Sequence, residues 1–291
     1  MKTNPALTLT LALLGGAAAL TAVAQTAPTV PIARSAAITA EPKWELGGFA
    51  FAVSQQAYPG ADQQAGGAIA LPFFVYRGEI LRADRGNLGL RAFKSAEFEF
   101  DLGAGASLGS NSRDIEARLG MPDLGTLIEF GPRLKWKFGA ADAAPGSRGW
   151  QLELPLRGVF DLSDGFASRG VAFEPELQYS RRSQSGWTTS ASVGAVFGSR
   201  RLTEHFYAVA PAYATAARPA YEARAGLVAW RLGLNVVRPL SADWRLFVFG
   251  RIDSVAGAAN ANSPLVKRNT GASAGIGLSW TWMRSSERAA D

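Results

Sequence analysis

The 291-residue chain has no cysteine, a single histidine and, after its first two dozen residues, no long uninterrupted apolar run. Without cysteine there is neither a disulfide framework nor thiol chemistry. With His205 as the lone imidazole, a Ser-His-Asp triad or a histidine-based metal site has one possible member, and no Gly-x-Ser-x-Gly word accompanies it. No cluster has zinc- or calcium-ligand spacing; Asn260-Ala261-Asn262-Ser263 offers amides without carboxylates. A transmembrane helix needs about 18 apolar residues in a row, and none follows the leader. The formal charge of +6 becomes +5 if Lys2 is removed, too slight and dispersed for a nucleic-acid surface. These absences leave no catalytic, cofactor or metal residue to nominate, so a non-enzymatic protein is expected.

What is present begins with a leader. Lys2 supplies a positive start, Leu7 to Leu20 is apolar, and Ala22-Val23-Ala24 has the small-x-small pattern of a signal-peptidase site. Residues 1–24 therefore read as a signal peptide cleaved after Ala24. The Ala/Thr/Pro-rich stretch 25–43 reads as a disordered periplasmic arm.

The remainder alternates. Ile128, Phe130, Leu134, Trp136 and Phe138 share one face of a strand, and Glu129, Arg133, Lys135 and Lys137 share the other. The same period of two sets Ala96, Phe98, Phe100 and Leu102 against Glu97, Glu99 and Asp101. It also sets Trp150, Leu152, Leu154, Leu156, Phe160 and Leu162 against Gln151, Glu153, Arg157 and Asp161. Further on, Val171, Phe173, Leu177 and Tyr179 oppose Glu174, Glu176 and Gln178. Near the end, Ala272, Ala274, Ile276, Leu278, Trp280 and Trp282 oppose Ser273, Gly275, Gly277, Ser279 and Thr281. A soluble all-β protein would also alternate, with its polar face outward. Trp44, Trp136, Trp150, Trp187, Trp244, Trp280 and Trp282 fall near strand ends, where membrane interfaces place them.

The expected fold is thus all-β: a closed antiparallel transmembrane β-barrel of about twelve strands over 44–282, followed by a short tail, 283–291. Strands are expected at 44–53, 67–77, 80–84, 87–93, 95–106, 127–138, 150–162, 170–182, 187–198, 220–238, 243–254 and 271–282. A parity change between Leu227 and Trp230 suggests a bulge near Gly226. Loops 54–66, 107–126, 199–219 and 255–270 are assigned to the outer side; the short turns and the 139–149 connection fall on the periplasmic side. The inward charges (Glu97, Glu99, Asp101, Glu129, Arg133, Lys135, Lys137, Glu153, Arg157, Glu174 and Glu176) either line an ion-selective pore or pair and fill a narrow interior. Opposite-sign neighbours such as Glu129 and Arg133 favour the filled interior. The expected setting is the Gram-negative outer membrane, as a monomer among lipid and lipopolysaccharide.

Several words in order resemble one family. Gly120-Met121-Pro122-Asp123-Leu124 with Glu129-Phe130-Gly131-Pro132, His205-Phe206-Tyr207-Ala208-Val209 with Pro211-Ala212, and Tyr221-Glu222-Ala223 are three blocks. Ala57-Tyr58-Pro59-Gly60-Ala61, Leu71-Pro72-Phe73-Phe74, Asp243-Trp244, Asn262-Ser263-Pro264-Leu265-Val266 and Gly275-Ile276-Gly277-Leu278 complete them. Together they resemble the MipA/OmpV family of outer-membrane proteins (MltA-interacting protein) over about 44–282. One departure is Gly257-Ala258-Ala259-Asn260-Ala261-Asn262-Ser263-Pro264, where family members often carry two aspartates. The resemblance implies a non-enzymatic scaffold that joins a murein lytic transglycosylase to a peptidoglycan synthase; surface adhesion and a small pore are the alternatives.

Overall fold

In the computed structural model, residues 42–77, 81–84, 87–95, 97–107, 109–138 and 145–287 are described. The leader 1–24, residues 25–41 of the arm, residues 139–144 of the long connection and residues 288–291 lie outside them. Alternation of period two becomes thirteen strands. They are β1 (Trp44–Gln56), β2 (Gln64–Arg77), β3 (Leu81–Asp84), β4 (Asn87–Lys94), β5 (Phe98–Ser107) and β6 (Leu127–Phe138). After these come β7 (Arg148–Asp161), β8 (Ala167–Phe173), β9 (Glu176–Arg182), β10 (Thr188–Gly198), β11 (Gly226–Pro239), β12 (Trp244–Ser254) and β13 (Thr270–Arg284). One α-helix, α1 (Arg200–Tyr207), is found among the described residues.

All thirteen belong to one antiparallel sheet. β8 and β9 stand in for the single strand expected at 170–182. β7 pairs with β8 through Leu156–Asp161 and with β9 through Arg148–Glu153. β10 pairs with both on their other side. The break falls at Glu174-Pro175, because Pro175 has no amide hydrogen to give the ladder. Its carbonyl still accepts from Ala195 N at 3.1 Å, and Glu174 N donates to Pro155 O at 3.2 Å. Counting β8 and β9 as one gives the expected twelve strands.

The first and last strands are neighbours: Gly48 lies opposite Trp280, and Ala52 opposite Ile276. β10 in turn pairs with β11. The expected bulge is real but sits two residues on: Val196 faces Ala229 and Phe197 faces Leu227, so Val228 is the extra residue. β11 also starts at Gly226 rather than at 220, and β13 continues to Arg284, beyond the expected 282. The tail therefore stays tied to the sheet, with Ser285 N donating to Trp44 O and Lys43 N to Glu287 O, both at 2.9 Å.

The sheet is inverted relative to a soluble one. On β6, Glu129 and Arg133 are each 5% exposed, whereas Phe130 is 56% and Trp136 40% exposed. β7, β11, β12 and β13 repeat this, with Leu156, Leu232, Ile252 and Ile276 exposed and Arg157, Arg251 and Ser279 buried. Of seven exposed tryptophans, six (Trp136, Trp150, Trp187, Trp244, Trp280 and Trp282) lie toward the end of the sheet that holds the described termini, and Trp230, opposite Ser254, lies toward the other. Trp244 and Trp280 stack with parallel planes at 5.2 Å.

Part of the interior is apolar, a feature the alternation of charge did not reveal. Phe51, Phe247, Phe249 and Val237 form a buried cluster. The small inward residues of β13 make this possible: a Cβ on Gly277 would stand 2.0 Å from Phe247, and one on Gly275 2.3 Å from Phe249. The rings occupy the space a side chain would need.

Candidate functional site: a charge-paired interior under a cap of loops

The buried face brings the expected charges together as two runs of ion pairs. In the first, Lys137 Nζ reaches Glu99 at 2.8 Å, and Lys135 Nζ reaches Glu99 at 3.2 Å and Asp101 at 2.9 Å. Arg133 holds Asp101 with two donors, Nε at 2.9 Å and Nη2 at 2.8 Å, and lies 3.6 Å from Glu153. This run follows from register, since Glu99 lies opposite Lys135 and Asp101 opposite Arg133 across β5 and β6.

The second run crosses the broken strand. Arg157 lies 3.3 Å from Glu129 and 3.6 Å from Glu174; Arg231 then links Glu174, at 3.8 Å, to Asp253, at 2.8 Å. Arg251 closes it on Asp253 at 3.0 Å. Taking such charges out of water costs several kcal/mol per ion unless each is paired, so alternating sign is what allows them to lie together on the buried face. Arg231, Arg251 and Asp253 escaped the sequence reading because β11 and β12 carry apolar residues on both faces. Glu97 departs from expectation: it precedes β5 and is exposed.

At the end away from the termini, four connections fold into one another. Ala57, Tyr58, Ile115, Leu124, Tyr207, Val209, Val255 and Leu265 share one buried cluster, joined from the sheet by Val228 and Ala229. The bulge at Val228 turns that side chain into the cap. Hydrogen bonds to backbone carbonyls fasten the loops. Tyr58 Oη donates to Leu265 O at 2.7 Å, Tyr207 Oη to Pro59 O at 3.0 Å, and Ser263 Oγ to Tyr207 O at 2.8 Å. Gly60, at φ +93°, accepts at its carbonyl from Lys267 N at 2.7 Å, a turn that a side-chain-bearing residue would strain.

Two arginines work as struts. Arg118 Nη1 donates to Phe206 O at 3.2 Å and Nη2 to Pro122 O at 3.1 Å. Arg218 Nη1 reaches Ala117 O at 3.1 Å and Leu119 O at 3.0 Å. Asn260 clamps the Arg224 backbone through both ends of its amide, each at 2.8 Å. A carboxylate there would keep the acceptor and lose the donor.

The cap's electrostatics follow from burial. Burial raises the hydroxyl pKa of both Tyr58 and Tyr207, and lowers the Arg118 guanidinium to about 10. His205, on α1, is pushed down to about 4 by burial, aided by the positive charges of Arg169 and Arg118. Its Nε2 has no hydrogen-bond partner among the described residues, and its ring meets Phe206 edge-on at 5.2 Å. Among the described residues, no nucleophile is hydrogen-bonded to it. Among the described residues, no group of three or more His, Cys, Asp or Glu side chains is placed to hold a metal ion.

The sequence words quoted above converge here. Tyr58-Pro59-Gly60, Pro122, Phe206-Tyr207, Tyr221 and Ser263-Pro264-Leu265 come from four separate connections and meet in this one cap. The family model described as MltA-interacting protein MipA matches residues 47–282. No curated protein matches the chain. Among solved structures, a NanC porin is 12% identical, with 82% of this chain and 99% of that one covered and a TM-score of 0.37. An outer membrane channel from Pseudomonas putida F1 is 11% identical, with 86% and 100% covered and a TM-score of 0.47. From the order of its motifs and the match over residues 47–282, the chain belongs to the family of MltA-interacting protein MipA.

Proposed function

We propose that the sheet is a closed transmembrane barrel of the outer membrane, acting as a non-enzymatic scaffold for cell-envelope partners. The observation that carries this reading is the inverted polarity of the sheet. Lipid offers no hydrogen bonds, so a spanning sheet must satisfy its own backbone, present apolar side chains outward and keep its charges inside. The pairing of β1 with β13 supports closure, and the six exposed tryptophans toward the end holding the termini support an interface there.

The paired interior and the fastened cap favour a binding role over a pore. Charges already matched by neighbours are poor ion ligands, and hydrogen-bonded loops obstruct the mouth. The family model's description as MltA-interacting supports a murein lytic transglycosylase as one partner; a peptidoglycan synthase is the proposed second. On this reading the chain is exported with cleavage after Ala24 and works as a monomer among lipid and lipopolysaccharide. The test is capture of a purified lytic transglycosylase by the full chain reconstituted in lipid and immobilised. Retention above an unrelated barrel is expected, and equal retention by both would overturn the scaffold.

A further inference from the structure

The exposed face of β7 and β9 changes chemistry over three successive rungs toward the end that holds the termini. Leu152 lies opposite Leu177, then Trp150 opposite Tyr179, then Arg148 opposite Arg181. Each rung is about 6.6 Å from the next along the strand. The order is aliphatic, amphipathic aromatic, cationic, which is the order in which a membrane leaflet runs from tails to headgroups.

The last rung is costly as it stands. Like charges placed directly opposite on an antiparallel pair repel. Arg148 and Arg181 are both exposed, and among the described residues neither has an acidic partner. The nearest strand carboxylates by register, Glu153 and Glu176, belong to the opposite, inward face. Asp243, on the same rim, is held by Arg284. A third arginine stands on the flank: the Arg238 guanidinium lies over the Trp187 ring at 4.9 Å and donates to Ser185 O.

We propose that Arg148 and Arg181, flanked by Arg238, form a headgroup site for an anionic phosphoglycerolipid in the leaflet at this end of the barrel. The proposal rests on the transmembrane reading above. One phosphate set between two guanidiniums turns their repulsion into shared charge-assisted hydrogen bonds, for which the planar fork of arginine is suited. A free phosphate would gain only those contacts. A lipid also lays its acyl chains along Leu152 and Leu177, past the Trp150–Tyr179 pair, whose rings lie 5.0 Å apart.

The test is lipid retention by the full chain, refolded in detergent with equal phosphatidylglycerol and phosphatidylethanolamine and read by native mass spectrometry. The protein is expected to keep phosphatidylglycerol, with millimolar inorganic phosphate failing to displace it. Arg148→Gln with Arg181→Gln is expected to lower that retention about tenfold or more, while Arg113→Gln with Arg268→Gln, at the capped end, leaves it unchanged. Arg148→Glu separates binding from folding. It replaces the repulsion with an ion pair to Arg181, so thermal stability is expected to hold or rise while lipid is lost. Equal retention by the wild type and the Arg148/Arg181 variants, or equal retention of the two lipids, overturns the site. If no variant, nor the wild type, shows a heat-modifiable folded form in detergent, the barrel reading fails and the site with it.

Discussion

The Tyr207 hydroxyl donates to the carbonyl of Pro59 at 3.0 Å, across 148 positions of sequence. It ties the end of α1 to the connection between β1 and β2, inside a cluster where neither group meets water. Tyr207→Phe keeps the ring and leaves that carbonyl without its donor, at a cost of about 1–3 kcal/mol. Because the bond fastens a loop rather than a ladder, the cost is expected locally. Amide exchange should quicken in residues 57–63 and 200–209 and stay unchanged in β5 and β6.

Asp253 is shared by Arg231, at 2.8 Å, and Arg251, at 3.0 Å. Asp253→Asn leaves two buried cations with one carboxylate fewer, and breaking such a pair costs about 3–5 kcal/mol. Denaturant unfolding in lipid vesicles is expected to show that loss. Adding Arg251→Met to Asp253→Asn should recover part of it, since the second change removes one of the two cations that shared the carboxylate. Additive losses would mean that the interior is wet enough for the charges to stand alone.

His205 gives the cap a pH dependence of known sign. Its folded pKa of about 4 lies below the ordinary value of 6.5, so the unfolded state binds more protons between the two. Stability is therefore full above about pH 6.5, falls as pH drops toward 4, and levels off below it; the total is about 3 kcal/mol. Protection of α1 amides measured from pH 7.5 to 4 is expected to fall over that window, and His205→Gln is expected to flatten the slope.

Val193 on β10 is 48% exposed and pairs with Leu232. On the proposed transmembrane reading, Val193→Arg puts a charge in hydrocarbon at a cost of about 2–4 kcal/mol near the midplane. Folding into vesicles is expected to drop accordingly. Ser192→Arg, one position along, points to the interior and serves as the contrasting change.

The barrel-like sheet was legible because its signal is periodic. Glu129 next to Phe130, repeated with Lys135 next to Trp136, sets both the strand and the side that each residue takes. The break at Pro175 was hidden, since Glu174, Glu176 and Gln178 keep their parity across it. The apolar part of the interior was hidden for a different reason. Phe247 and Phe249 face inward while Val248 and Ile252 face outward, so the alternation of polarity lapses in the middle of β12, between Arg245 and Arg251. The cap was least legible. Tyr58, Tyr207, Arg118 and Asn260 act through backbone carbonyls of distant loops, and a bond from Tyr58 to Leu265, 207 positions away, leaves no local pattern. The only trace was a set of words whose common location the sequence did not show.

On the proposed reading, ion pairs fill the interior of the barrel and its own loops close it. Single-channel recording of the refolded full chain in a planar bilayer tests it most directly. The expected record is silent, with insertion shown independently by protease protection of the strands. Steady conductance steps that change size when Lys135→Glu reverses an interior charge would contradict it.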